Sequence, residues 1–372
     1  MLKALVSPLV PEVSWNRSGV ALAMLASTLI AQQAPAEAQQ KRQVSFGLSV
    51  GAVNSSYCMY PVAIRAGFFA EEGLEVKVQP IPGAVTVMQT VLSGRLEIGG
   101  ATPEPLLQLF ERGNDELVMI YNFIRRPTGS IAVLDESPIR KLEDFRGKKL
   151  GAQSLASSNI ILTNGVLRQV GIDPKTELTY LAVGMGTTAL QAMRSGHVDG
   201  LAIFDSVYAQ IEQTGAKLRY FVGHEQDRLF AVQFIARKDA VKADPDLYRS
   251  LGRAMAKATY FAQQNPEACI RMLWQEVPSS RAVGVSEEQQ MKNDLAILQR
   301  RLTLLVTPDS DKFGFGWYNE KDIEAWNEFA VAGEIIKQKV DFKGRYTNEF
   351  VKDYNAFDRD QLARKAKAWK SN

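Results

Sequence analysis

The chain repeats itself once, and that repeat limits what it can fold into. Residues Thr86, Gln89, Ser93 and Gly94 recur as Thr188, Gln191, Ser195 and Gly196, all at one offset of 102 residues. Within the same register Met88 matches Leu190, Leu96 matches Val198 and Glu97 matches Asp199, while Ser55 and Ser56 fall on Ser157 and Ser158. One register shared by so many identical or similar positions implies two copies of one folding unit.

The pattern inside the first copy identifies that unit. Val44–Val50 reads as a strand, and a helix over Tyr60–Glu72 is stopped by Gly73 as a left-handed cap. Leu74, Val76 and Val78 then alternate with polar neighbours, the period of a strand. A second helix over Ala84–Ser93 places Val85, Met88 and Leu92 on one face, Gly94 closes it, and Leu96–Ala101 is the next strand. This β-α-β-α-β order builds an open, largely parallel sheet. In the second copy, Lys149–Gln153 is the strand that leads into the serine pair. After Phe230 the alternation gives way to one more strand, Phe234–Arg237, and then mostly helix, with start signals at Asp244-Pro245, Asn265-Pro266 and Ser286 with Gln289. These helices are expected to pack on the first lobe.

Two α/β lobes fit the length that remains after an export signal. Lys3 and Arg17 precede an uncharged run from Gly19 to Ala31 and then Ala36-Glu-Ala38, which predicts a signal peptide over 1–38 with cleavage after Ala38. The uncharged run of thirteen residues would span only ~20 Å, short of a ~30 Å hydrocarbon core. A secreted, periplasmic protein of 334 residues is expected, enough for two ordinary domains. No cysteine precedes Cys58 to carry a lipid. With a formal net charge of only +3 and no basic stripe, nucleic acid is not an expected partner. Cys58 and Cys269 lie far apart in sequence; an oxidising compartment would allow them to pair, but each falls in a helix-like segment with nothing to place them face to face, so isolated buried thiols are expected. His197 and His224 have no metal-ligand spacing, and neither a metal nor a cofactor is expected.

In open α/β sheets, ligands bind beyond the carboxyl ends of the strands, where helix N-termini present unpaired backbone N–H groups. In the first lobe those ends place Asn54, Ser55, Ser56, Tyr57, Gly83, Thr102 and Glu104 at a cleft. In the second they place Ser154, Ser157, Ser158, Asn159, Gly184, Met185, Phe204 and Asp205 there. For the serines, helix capping competes evenly with ligand contact, and for Phe204 and Tyr208 core packing does. Arg125 and Arg126 are expected to be solvated charges beside a hinge.

Several segments carry a family resemblance. Arg65-Ala-Gly-Phe-Phe-Ala-Glu-Glu-Gly-Leu-Glu-Val, the twin Ser-Gly-x-hydrophobic-acidic segments at Ser93 and Ser195, Leu142-Glu-Asp-Phe-Arg-Gly-Lys-Lys-Leu-Gly and Tyr346-Thr-Asn-Glu-Phe resemble the solute-binding proteins of ABC importers. The subgroup is that of nitrate, sulfonate, taurine and the thiamine pyrimidine precursor. The resemblance implies a type II periplasmic-binding-protein fold: two α/β lobes joined by a two-crossing hinge, with the ligand cleft between them. Crossings are expected near Pro127–Ser130 and Leu229–Gln233, giving one lobe of residues 39–129 and 233–372 and another of residues 130–232. It implies no enzyme activity, but capture of a small organic solute by a monomer that delivers it to ABC permease and ATPase subunits.

Other readings of the same residues are weaker. Gly184-Met-Gly186-Thr-Thr-Ala189, with Asp205 at the end of the next strand, matches a dinucleotide fingerprint, but the equivalent turn at Pro82-Gly83-Ala84 lacks the glycines. A periplasmic enzyme resembling the pyrimidine-precursor synthases would need the cysteine-rich motif that this sequence lacks. A sensor domain on the same fold is the other alternative. Serine-lined helix N-termini suit a sulfonate-like anion, whereas Glu104 and Asp205 on the same cleft edge would repel one and suit an amino or heteroaromatic compound.

Overall fold

A computed structural model describes residues 41–370 apart from 156 and 225, so the predicted signal peptide lies outside the described residues. Ten strands follow one another: β1 (Arg42–Leu48), β2 (Leu74–Pro80), β3 (Ile98–Ala101), β4 (Leu117–Ile124), β5 (Gly129–Leu134), β6 (Lys149–Ala152), β7 (Thr179–Ala182), β8 (Gly200–Phe204), β9 (Leu218–Phe221) and β10 (Val232–Arg237). They form two five-stranded sheets of equivalent order, β2-β1-β3-β10-β4 and β7-β6-β8-β5-β9. In each sheet the first three strands of the unit run parallel, and the fourth place is taken by an antiparallel strand that has just crossed from the other sheet. The chain crosses once between Ile124 and Gly129 and returns between Phe221 and Val232.

The two copies match in chemical detail. Glu97 accepts a hydrogen bond from the backbone N–H of Ser45 at 2.8 Å, and its partner in the repeat, Asp199, accepts one from that of Lys149 at 2.8 Å. Each acid therefore ties the third strand of its unit to the first. Helices Ala84–Leu92 and Thr187–Arg194 both end at a serine, followed by Gly94 at φ 73° and Gly196 at φ 69°, a left-handed turn that glycine enters without a Cβ penalty. The face of the first of these helices is rotated from its expected position: Ala84, Val87, Met88 and Val91 are buried, whereas Val85 is exposed. The helix expected over Tyr60–Glu72 is two helices, Met59–Arg65 and Phe68–Glu71, because Gly67 at φ 82° interrupts the ladder.

The C-terminal helices start where their caps indicate. Asp244, Asn265 and Ser286 accept from the backbone N–H groups of Leu247, Ala268 and Gln289, opening helices Pro245–Gln264, Pro266–Glu276 and Glu287–Leu305. The first two cover one face of the first sheet and share its core with Phe46, Tyr60 and Phe234. The third also grips the second sheet's helix Asp205–Gln213, where Gln213 donates to the carbonyl of Asn293 at 2.7 Å. Helix Glu320–Ala332 reaches the second lobe as well: Trp326 and Phe329 share an apolar cluster with Val133, Leu150 and Leu162. The C-terminal helices thus pack on both lobes, not on the first alone.

The cysteines are not free thiols. Cys58 and Cys269, both fully buried, form a disulfide with Cα atoms 5.5 Å apart, joining the start of Met59–Arg65 to Pro266–Glu276. Two helices that pack side by side bring together residues 211 positions apart. Nothing local to either cysteine signals that.

Candidate functional site

The carboxyl ends of both sheets face one cleft with about 830 Å³ of non-protein space, part of it open to solvent. Its walls are the turns that follow β1, β2 and β3 on one side and β6, β7 and β8 on the other. Ten of the fifteen residues expected at a cleft line it: Asn54, Tyr57, Gly83 and Thr102 from the first lobe, and Ser154, Ser157, Ser158, Asn159, Met185 and Phe204 from the second. Ser157 caps helix Ser158–Arg168, its hydroxyl accepting from the Asn159 N–H at 3.3 Å, so the capped first turn of that helix faces the cleft. Gly83 takes φ 93° and Gly184 and Gly186 take φ 70° and 59°, so backbone conformation accounts for the glycines in these turns.

Five predicted residues do not line this cleft, each for a visible reason. Ser55 is buried and donates to Asp294 Oδ1 at 2.5 Å, in a network with Trp274 Nε1, which donates to the other oxygen at 2.8 Å. Ser56 is also buried, and its Oγ donates to Asn54 Oδ1 at 2.6 Å. The repeated serine pair therefore serves structure in one lobe and faces the cleft in the other. Gly184 lies back from the cleft in the turn before Met185.

Asp205 faces a partner that the sequence did not suggest. Arg301, from helix Glu287–Leu305, donates from Nε at 2.9 Å and from Nη2 at 2.6 Å to its two carboxylate oxygens, and both side chains are buried. Burial alone would pull the Arg301 guanidinium down, but the Asp205 carboxylate and Tyr57 more than offset it, holding its pKa above the ordinary arginine value. Arg301 lies over the Tyr57 ring at 4.9 Å and lines the cleft, whereas Asp205 does not. The expected repulsion between Asp205 and an anion is thus cancelled by a bidentate pair. Paired with Arg301 and set back from the cleft lining, Asp205 is not presented to a ligand there.

Glu104 lies in a smaller chamber behind the main cleft. It is 4% exposed, its Oε2 has no hydrogen-bond partner among the described residues, and burial pushes its pKa up to about 7. Tyr208 is a strut of the second sheet, donating to the Ser130 and Leu201 carbonyls and accepting from the Ile203 N–H. Arg125 is not solvated. It is 1% exposed, donates to Thr307 Oγ1 at 3.1 Å and to the Trp317 carbonyl at 2.7 Å, and so anchors the first crossing to the C-terminal segment. Arg126 is half-buried and pairs with Asp322 at 3.3 Å. Beside them Gln226 of the second crossing donates to the Gly129 carbonyl at 2.8 Å, tying the two crossings together.

The NMT1/THI5-like family profile matches residues 54–269, more than half of the sequence. The chain belongs to this family. Riboflavin-binding protein RibY of Chloroflexus aurantiacus is 22% identical over 327 residues, 86% of this chain and 89% of that protein. A formylaminopyrimidine-binding protein of Halalkalibacterium halodurans is 21% identical, over 74% of this chain and 80% of that one. Among solved structures, the alkanesulfonate-binding protein SsuA of Xanthomonas axonopodis pv. citri, bound to MOPS, superposes with a TM-score of 0.60 at 18% identity, covering 83% of this chain and 99% of that one. The fold of this NMT1/THI5-like chain is therefore that of the periplasmic binding proteins. Among its described residues no helix is long and apolar enough to cross a membrane, and no group of three or more His, Cys, Asp or Glu side chains is placed to hold a metal ion.

Proposed function

We propose that this protein is the extracytoplasmic solute-binding component of an ABC importer, capturing a small organic solute by hinge closure and delivering it to the permease. The observation that carries this reading is the cleft between the carboxyl ends of two equivalent sheets, lined by hydroxyls, amides and the rings of Tyr57 and Phe204. Such a lining offers hydrogen bonds and apolar faces, which suit recognition of a ligand. The named relatives support it, since each is called a binding protein for a small polar organic molecule. In this reading residues 1–38 direct export to the periplasm, residues 39–129 and 233–372 form one lobe, residues 130–232 form the other, and the protein works as a monomer. The ten lining residues and Arg301 contact the solute.

Small-angle scattering tests the closure. Protein as isolated is compared with protein stripped of small molecules by mild denaturation and refolding with the disulfide intact. The stripped form is expected to have the larger radius of gyration, and adding back the extracted solute should return the smaller one, as hinge closure requires. An unchanged radius despite demonstrated rebinding would place binding in a rigid pocket instead.

A further inference from the structure

Behind the main cleft, between the two crossings and helix Glu320–Ala332, lies a small chamber, with room for about one water-sized group, that shares Thr102, Thr128, Ser158 and Asn159 with the cleft. Its apolar walls include Leu162, Leu229 and Phe230, and the indole N–H of Trp326 is already given to the Phe230 carbonyl at 3.0 Å. Gly129 lets the Asn159 side chain come close: a Cβ there would collide with Asn159 and would stand 2.8 Å from Leu162 Cδ2. Two polar atoms in this chamber are left over. Glu104 Oε2 and Thr102 Oγ1 are both buried without a hydrogen-bond partner among the described residues. An unmet buried carboxyl oxygen costs more than an unmet neutral group, so a donor that reaches it is favoured there.

We propose that the chamber is a second compartment of the solute site, in which Glu104 accepts hydrogen bonds from an amino group, so that the solute is an amino-bearing molecule whose other end rests on the Ser157-Ser158 turn. This rests on the solute-binding reading above. A carboxylate only accepts, so its complement is an N–H donor, and a cation is the strongest such partner in a place shielded from water. Among the described residues Glu104 is the only titratable side chain lining the chamber, so no neighbouring acid or base among them competes for that group. With its pKa raised to about 7, the side chain gains its charge across neutral pH and accepts more strongly above that point than below it.

The test is equilibrium dialysis of the wild type and Glu104→Gln against two matched pairs, 2-aminoethanesulfonate with ethanesulfonate and 4-aminopyrimidine with pyrimidine. The amino member of at least one pair should be retained about 10- to 150-fold better than its partner, the range of a charge-assisted hydrogen bond. For the sulfonate pair the preference should grow from pH 6 to pH 8. In Glu104→Gln it should fall to within about twofold, with thermal unfolding no lower than that of the wild type. Equal retention within both pairs, a preference that falls with rising pH, or one untouched in Glu104→Gln would overturn the chamber assignment alone. So would a co-purifying solute that has no N–H group. If the protein retains none of the four and also carries no co-purifying small molecule, the solute-binding reading fails with it.

Discussion

Replacing either cysteine of the Cys58–Cys269 bridge with serine is expected to cost about 5 kcal/mol of folding stability, read as a lower midpoint in denaturant titration. The magnitude follows from the loop that the bond closes, which spans 211 residues of sequence. In the chain-entropy account a 100-residue loop is worth about 4.7 kcal/mol, and the dependence on length is logarithmic. The double replacement should cost no more than either single one, because both remove the same constraint. The effect should extend to the cleft, since Asn54 and Tyr57 stand within four residues of Cys58 and both line it. If oxidised and reduced protein unfold at the same denaturant concentration, the bond carries no such load.

Arg301→Met is expected to cost about 3–5 kcal/mol, because it leaves the Asp205 carboxylate buried without its charge partner. Removing one member of a buried pair is harsher than removing both. The double variant Arg301→Met, Asp205→Leu should therefore recover much of the loss, and that recovery is the control for simple misfolding. A double variant as unstable as the single one would mean that Arg301 matters for packing against Tyr57 and not for charge.

The repeat was legible because it is local. A helix that ends in Ser-Gly and a strand that begins with an acid are short patterns, and both copies use them for the same hydrogen bonds. The strand ends were legible for the same reason, and they placed Asn54, Tyr57, Ser157 and Phe204 at the cleft. Long-range pairings were not. Cys58 finds Cys269, Asp205 finds Arg301 and Arg125 finds Trp317 only once the C-terminal helices have packed. Arg301 lies in a helix with charged residues on several faces, so no periodicity marks it as buried. Its signal is chemical. A carboxylate at the start of a buried helix, in a chain with few acids at the cleft, needs a cation, and the C-terminal segment holds the candidates.

Solute capture in the cleft is tested most directly by mass spectrometry of the small molecules released when the mature protein is denatured. Wild type is compared with Ser154→Trp, where an exposed cleft residue is replaced by a side chain large enough to fill the space beside it. The wild type should release one small organic solute at close to one per chain. The variant, folded to the same extent by thermal unfolding, should release at least tenfold less. No stoichiometric solute from wild type, or the same amount from both proteins, would contradict capture between the two sheets.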